Sequence, residues 1–317
     1  MTLEEKDDLE AALDDPDPTR RQLALIERAD TIEIEALEPL MSAAGDTDPT
    51  VRRLAVGMLE ELGDARSLPV IVAALADADD GVREAAQSAV QAFRGEDAGR
   101  LLLAAATHEN AAAREWVIIG LRELKDPRAV PVLLRALHDP AAQVRRAAVV
   151  SLAYLRQRES VTALLERLLD SDAGVRRLSI AALARAWTAE LTAPIVARLA
   201  DDDWQVRAEA AAALGRSGVA CAPPELLESL RDSHWQVVKA AVTALGALKV
   251  TAAEPQLIAL LANEASDVRR ASAETLGQLG AVSARRALKL LLADSDIEVR
   301  KAASRALATL GVPASAP

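Results

Sequence analysis

Few residues in this chain have the type and spacing for chemistry. It holds three histidines, His108, His138 and His234, and a single cysteine, Cys221. One cysteine excludes an internal disulfide framework. No cysteine-rich zinc spacing, glycine-rich phosphate loop or Gly-x-Ser-x-Gly elbow occurs. Carboxylates are abundant, but they fall where helices begin, so their spacing is explained by helix capping and gives acid–base catalysis no specific support. The sequence therefore assigns no catalytic residue, no metal ligand and no cofactor.

What recurs instead is a pair. Val51-Arg52 returns as Val82-Arg83, Val144-Arg145, Val175-Arg176, Val206-Arg207, Val268-Arg269 and Val299-Arg300, always at 31 residues or a multiple of 31. Ala113-Arg114 and Val237-Val238 fill the two missing rungs, and Arg20-Arg21 opens the series. A fixed period of this length means stacked supersecondary units. Composition agrees: 51% of residues are hydrophobic and only 2% aromatic, which suits helices packed in thin layers through small side chains. The expected fold is an all-α solenoid of about ten helical hairpins running as one array over 1–317. Residues 1–32 form a degenerate first repeat, and 299–317 a closing helix and tail.

Residues 64–94 show how one unit works. Asp64-Ala65-Arg66-Ser67-Leu68-Pro69 opens a first helix, with proline in the first turn, where a missing amide donor costs nothing. Pro131, Pro224 and Pro255 fall at the equivalent place. Asp77-Ala78-Asp79-Asp80-Gly81 breaks the chain. A second helix then presents Val82, Ala85, Ala86, Ala89, Val90 and Phe93 on one face. Asp stands three residues before the pair at Asp48, Asp79, Asp172, Asp203 and Asp296, where its carboxylate caps the second helix. Gly63, Gly218, Gly280 and Gly311 close second helices, as a left-handed end requires. The repeated Arg is expected to bridge neighbouring units.

The run Asp203-Trp204-Gln205-Val206-Arg207-Ala208-Glu209-Ala210-Ala211-Ala212-Ala213-Leu214-Gly215 resembles the core motif of the short HEAT repeats named after phycobilisome lyases. Lys125-Asp126-Pro127-Arg128-Ala129-Val130-Pro131-Val132-Leu133 resembles the start of a unit in that family. The likeness covers nearly the whole chain. It implies that second helices line a concave side and first helices a convex one. It does not choose a function, because such repeats serve unrelated tasks. His108-Glu109 is similar to the His-Glu pairs of the HEAT-type deoxyhypusine hydroxylases, but those enzymes need several pairs and this chain has one.

Positions on the second helix that stacking does not need are the candidates for binding. With the Val of Val-Arg as position zero, positions two, six and nine point toward the concave side, and position five flanks them. In the middle of the array, positions five and six read Ile118, Ile119, Val149, Val150, Ile180 and Val242, an expected apolar floor. Position two supplies Arg146, Arg177, Lys239 and Arg270, an expected basic edge. The alternative is that position five packs between neighbours and position two is a solubilising rim. Trp204 and Trp235 share one register and form either an aromatic ledge or a cover for the hairpin end. Such a groove suits an acidic or amphipathic segment of another protein.

Net charge is −11, which argues against nonspecific attraction to nucleic acid or to an anionic membrane. No apolar run is long enough to span a bilayer and no signal-peptide core is present, so the expectation is a soluble, cytoplasmic protein. The leading function is an interaction scaffold or assembly factor. A bilin-lyase-like attachment factor and a relative of the HEAT-like alkylpurine DNA glycosylases are the alternatives.

Overall fold

Each 31-residue period becomes a helical hairpin. The computed structural model describes residues 3–29, 33–156, 159–218 and 222–311, and no strand occurs among them. Cys221 and the tail beyond residue 311 lie outside the described residues. The chain divides into two compact units, residues 1–160 and 161–317. The first holds α1 (Leu3–Leu13), α2 (Pro18–Arg28), α3 (Leu37–Ala43), α4 (Pro49–Leu62), α5 (Leu68–Ala74), α6 (Asp80–Ala92), α7 (Glu96–Ala105), α8 (Ala111–Glu123), α9 (Val130–Ala136) and α10 (Ala142–Leu155). The division falls at the start of α11 (Ser160–Glu166). The second unit continues with α12 (Ala173–Leu183), α13 (Thr192–Val196), α14 (Trp204–Ser217), α15 (Pro224–Glu228), α16 (Trp235–Ala247), α17 (Glu254–Ala259), α18 (Ser266–Gln278), α19 (Arg285–Leu290) and α20 (Ile297–Thr309). The architecture is an all-α solenoid.

Capping sets where the second helices start. Asp48 accepts from the backbone N–H of Thr50 and Val51, Asp203 from Gln205 and Val206, and Asp296 from Glu298 and Val299. Each bond satisfies an amide that has no partner inside the helix. Three second helices, α10, α16 and α18, begin at Ala141, His234 and Ala265 without a side-chain cap. The left-handed ends expected at Gly63, Gly218, Gly280 and Gly311 are present, and Lys125, Arg156 and Lys249 adopt the same positive φ in the same register.

Packing follows the small side chains. Position zero (Val51, Val82, Val206, Val299), position four (Ala55, Ala86, Ala210, Ala303) and position eight (Leu59, Val90, Leu214, Leu307) are all buried. Successive second helices lie side by side, α12, α14, α16, α18 and α20 in the second unit. At Gly215 and Gly277 position nine meets the neighbouring helix instead of pointing only outward. A Cβ added at Gly215 would stand 2.7 Å from Ala244 Cα, and one at Gly277 would stand 2.9 Å from Ala306 Cα. Glycine is there because the neighbouring helix backbone occupies the space.

The recurring arginine is a ladder. In six repeats its Nε and Nη2 donate to both oxygens of one aspartate 25 residues on, at 2.6–3.0 Å: Arg21–Asp46, Arg52–Asp77, Arg114–Asp139, Arg176–Asp201, Arg207–Asp232 and Arg269–Asp294. Nη1 donates to carbonyls of the arginine's own turn, as Arg207 does to Asp201 and Asp202. The aspartate used is not the capping one but the residue two before it. That aspartate also accepts the N–H of the capping residue, as Asp201 does from Asp203. The pair thus ties one turn to the next with all three guanidinium nitrogens engaged, the kind of satisfied geometry under which a buried ion pair is tolerated.

Candidate partner-binding groove

The apolar floor expected from positions five and six is largely absent. Ile118, Val149, Ile180 and Val242 are each 1% exposed or less. α8, α12 and α16, which carry Ile118, Ile180 and Val242, each touch the next second helix of their own unit, so position five is core and offers nothing to a partner. Ile119 and Val150 are half-buried and remain on the surface of the first unit. The basic edge is also smaller than its residue types suggested. Arg146 is exposed, and Arg177 half-buried. Lys239 and Arg270 both reach one carboxylate, Asp267, at 2.9 and 2.6 Å. Asp267 was visible to sequence as the partner of Arg270 one turn on; its bond to Lys239, 28 residues away, was not.

What the second unit does offer is a groove of about 570 Å³ on its second helices. α14 contributes Trp204, Gln205, Ala208, Glu209, Ala212, Gly215 and Arg216; α16 contributes Gln236, Lys239, Ala240, Thr243, Ala244 and Ala247; α12 contributes Arg177. The floor is made of alanines and one glycine. The groove exists because the sequence places methyl-sized side chains on facing positions of two long helices whose backbones already approach closely at Gly215. Three expected site residues meet here, Arg177, Trp204 and Lys239. The floor alanines were missed, because Ala at every position of a helix carries no signal about which one faces a groove.

The aromatic ledge is built differently from a simple pair of tryptophans. Trp204 stacks on His234, with ring centroids 5.7 Å apart and planes 9° from parallel. His234 fails to cap α16 because its ring lies on the indole instead; its Nδ1 stands 3.0 Å from Ser233 Oγ and 3.3 Å from an Arg207 nitrogen. Trp235 is 41% exposed and does not line the groove; Lys239 Nζ sits 5.7 Å from its ring centroid. Each indole is thus held by a neighbour rather than by the other. At the His-Glu pair, His108 Nδ1 accepts the N–H of Asn110 at 3.1 Å. This is the bond that an aspartate makes in the other turns, so His108 is a structural substitute. Among the described residues no three His, Cys, Asp or Glu side chains converge to hold a metal ion, and no helix is long and apolar enough to cross a membrane.

Electrostatics at the groove favour an anionic visitor. Arg216 is satisfied by Glu209 at 2.8 Å. Asp267 serves two cations, and they hold its carboxyl below the ordinary value, Lys239 most strongly through its hydrogen bond. Arg177 makes no hydrogen bond or ion pair among the described residues. On the first unit the corresponding position carries both signs, Arg53, Glu84, Glu115 and Arg146, and burial raises the Glu115 carboxyl above its usual value against the pull of Arg146.

The repeat, the ladder and the stacked second helices define a class, and the sequence comparison agrees. Residues 7–91, 99–184, 163–246, 192–273 and 254–317 match the HEAT repeats family. The chain belongs to the HEAT-repeat family. No curated protein matches it significantly. Among solved structures it is similar to an engineered protein (TM-score 0.52, 19% identity, 99% of this chain and 100% of that one). It is also similar to yeast importin-beta, Kap95p (TM-score 0.60, 13% identity, 96% of this chain and 49% of that one). Kap121p gives a TM-score of 0.59 at 16% identity, with 96% of this chain and 41% of that one covered. The chain thus spans about half or less of those two karyopherins. At these identities the likeness shows the fold alone.

Proposed function

We propose that the chain is a cytoplasmic interaction scaffold that holds a segment of another protein in the groove of α12, α14 and α16. The observation that carries this is the groove itself: an alanine floor beside the Trp204 indole, rimmed by a cation that the fold leaves unpaired. Stacking does not need such a surface, and burial of apolar atoms beside a fixed aromatic is how grooves of this kind gain affinity. Kap95p, similar to this chain in fold alone, is named as binding RanGDP, and that role of a like solenoid supports the reading. The 31-residue unit supports placing the repeats among the short, phycobilisome-lyase-like type. The test is a photo-crosslinking side chain at Thr243, which lines the groove and is exposed. In the native host it should form an adduct with a second polypeptide, and filling the floor with Ala212→Phe should remove that adduct. Absence of any adduct, or one that persists in the filled variant, rejects the reading.

A further inference from the structure

We infer that the groove selects an extended acidic segment, with two carboxylates flanking one large apolar side chain. This rests on the groove being the binding site, and adds what it binds.

The charge distribution is the first support. The whole chain carries −11, yet the groove lining holds Arg177, Arg216 and Lys239 against Glu209 alone. Arg216 is neutralised by Glu209. Lys239 and Arg270 share the Asp267 carboxylate, and Arg270 also feels Glu298. Arg177 lines the groove and makes no ion pair among the described residues. An acidic molecule repels acidic segments over most of its surface, and a local cationic rim rewards carboxylates at this one place.

The register is the second support. Arg177, Ala208 and Lys239 are the same position, two past the repeating valine, on three successive second helices. Helices in contact lie about 8–10 Å apart, so the two cations are anchored about 16–20 Å apart with an alanine between them. A strand-like segment rises about 3.3 Å per residue and covers that distance in about five to six residues. With carboxylates six residues apart on one face, a side chain two or four residues from the first shares that face and falls over Ala208 and Ala212, beside the Trp204 ring, where only small groups stand in its way. Gln205 and Gln236 line the same groove, make no side-chain hydrogen bond among the described residues, and can pair with the backbone of an extended chain, which has unsatisfied N–H and C=O groups to offer. A helical segment would need about eleven to thirteen residues to span the same two cations and would present no free backbone.

Selection of a phage-displayed random 16-residue library on the full chain tests this. The enriched peptides should carry Asp or Glu pairs six residues apart with a Leu, Ile, Phe or Trp two or four residues from the first. A synthetic fluorescein-labelled consensus peptide should lose at least tenfold in affinity with Arg177→Glu and with Lys239→Glu, and all measurable affinity with Ala212→Phe. Arg53→Glu, at the same register in the first unit, should bind as wild type does, and circular dichroism melting should show each variant folded. Enrichment of basic or uncharged peptides, or of acidic residues at helical spacing only, overturns this inference while leaving the groove a binding site. Enrichment that survives Ala212→Phe places binding elsewhere and overturns both, as does failure to enrich any peptide. Displacement of the consensus peptide by duplex DNA at physiological salt would identify the cations as a phosphate site and also overturn the inference.

Discussion

At the scale of single residues, the ladder explains the rung at which both of its partners are replaced. Val238 replaces the arginine of α16, and Asn263 replaces the aspartate it would have met 25 residues on. Losing one partner alone would leave a desolvated charge, whereas replacing both removes the charge and keeps the turn: Asn263 Oδ1 still accepts the N–H of Ala265 at 2.9 Å. Val238 is buried, so its methyl groups fill the position that an arginine stem would cover. This yields a double-mutant cycle at an intact rung. Asp201→Asn alone should cost about 3 kcal/mol, because it strands the Arg176 guanidinium. Combining it with Arg176→Val should recover at least about 1 kcal/mol relative to the sum of the two single changes, measured by urea unfolding. The same rungs set an acid limit. Arg52 holds the Asp77 carboxyl below its ordinary value and Arg269 does so for Asp294, in each case chiefly by its hydrogen bond. At Asp201 burial pushes the carboxyl up, and the bonds from Arg176 and from the Asp203 N–H outweigh it. A carboxylate with a depressed folded value contributes its full stabilisation above the unfolded value of about 3.9 and loses it as pH falls through the folded one. The melting temperature should therefore be nearly constant from about pH 5 to 8 and fall steeply below about pH 4. A melting temperature at pH 3 equal to that at pH 6 would show that the ladder contributes nothing.

At the scale of elements, helix ends are where this chain departs from its own consensus. The left-handed terminal position is glycine at Gly63, Gly218, Gly280 and Gly311, but lysine or arginine at Lys125, Arg156 and Lys249. An L-residue in that conformation places its Cβ against the following carbonyl oxygen, at about 1–2 kcal/mol. Lys249→Gly, at the end of α16, should accordingly raise stability by about 1 kcal/mol, and Gly280→Lys at the end of α18 should lower it by a similar amount. Equal and opposite shifts in denaturation midpoint would confirm that the backbone, not a lysine contact, decides the effect. α16 combines this strained end with an uncapped start at His234 and the missing rung at Val238. It is also one wall of the groove. The element that carries the candidate site is therefore held by fewer polar ties than its neighbours, and by the Trp204–His234 stack in their place.

At the scale of the whole molecule, each repeat touches only its neighbours, so a disturbance should travel along the chain and fade. Leu214 is fully buried in α14. Leu214→Ala should cost about 2–5 kcal/mol locally, speed native-state amide exchange in α14 and in the adjacent α12 and α16, and leave α4 and α6 of the first unit unchanged. Uniform acceleration over all twenty helices would show instead that the chain unfolds as one cooperative body. A molecule built of nearest-neighbour layers can vary one surface without disturbing another, which is how an acidic chain can hold a cationic groove.

The sequence alone determined the period, the all-helical class, the caps, the left-handed ends and the arginine ladder. All of these are local or one repeat long, and a fixed register of 31 residues writes them out several times over. It also marked Arg177, Trp204 and Lys239, because each stands at a position that stacking does not require. What only the tertiary structure decided was which side of the second helix remains open. Ile118, Val149, Ile180 and Val242 became core because second helices pack closely side by side, with Gly215 and Gly277 at position nine making room for a neighbouring backbone. The groove floor fell instead to alanines that no pattern distinguishes from their neighbours, and Lys239 was half neutralised by an aspartate 28 residues away. Interhelical distance is set by pairs of small side chains on different helices, and a one-dimensional pattern does not show how those pairs add up.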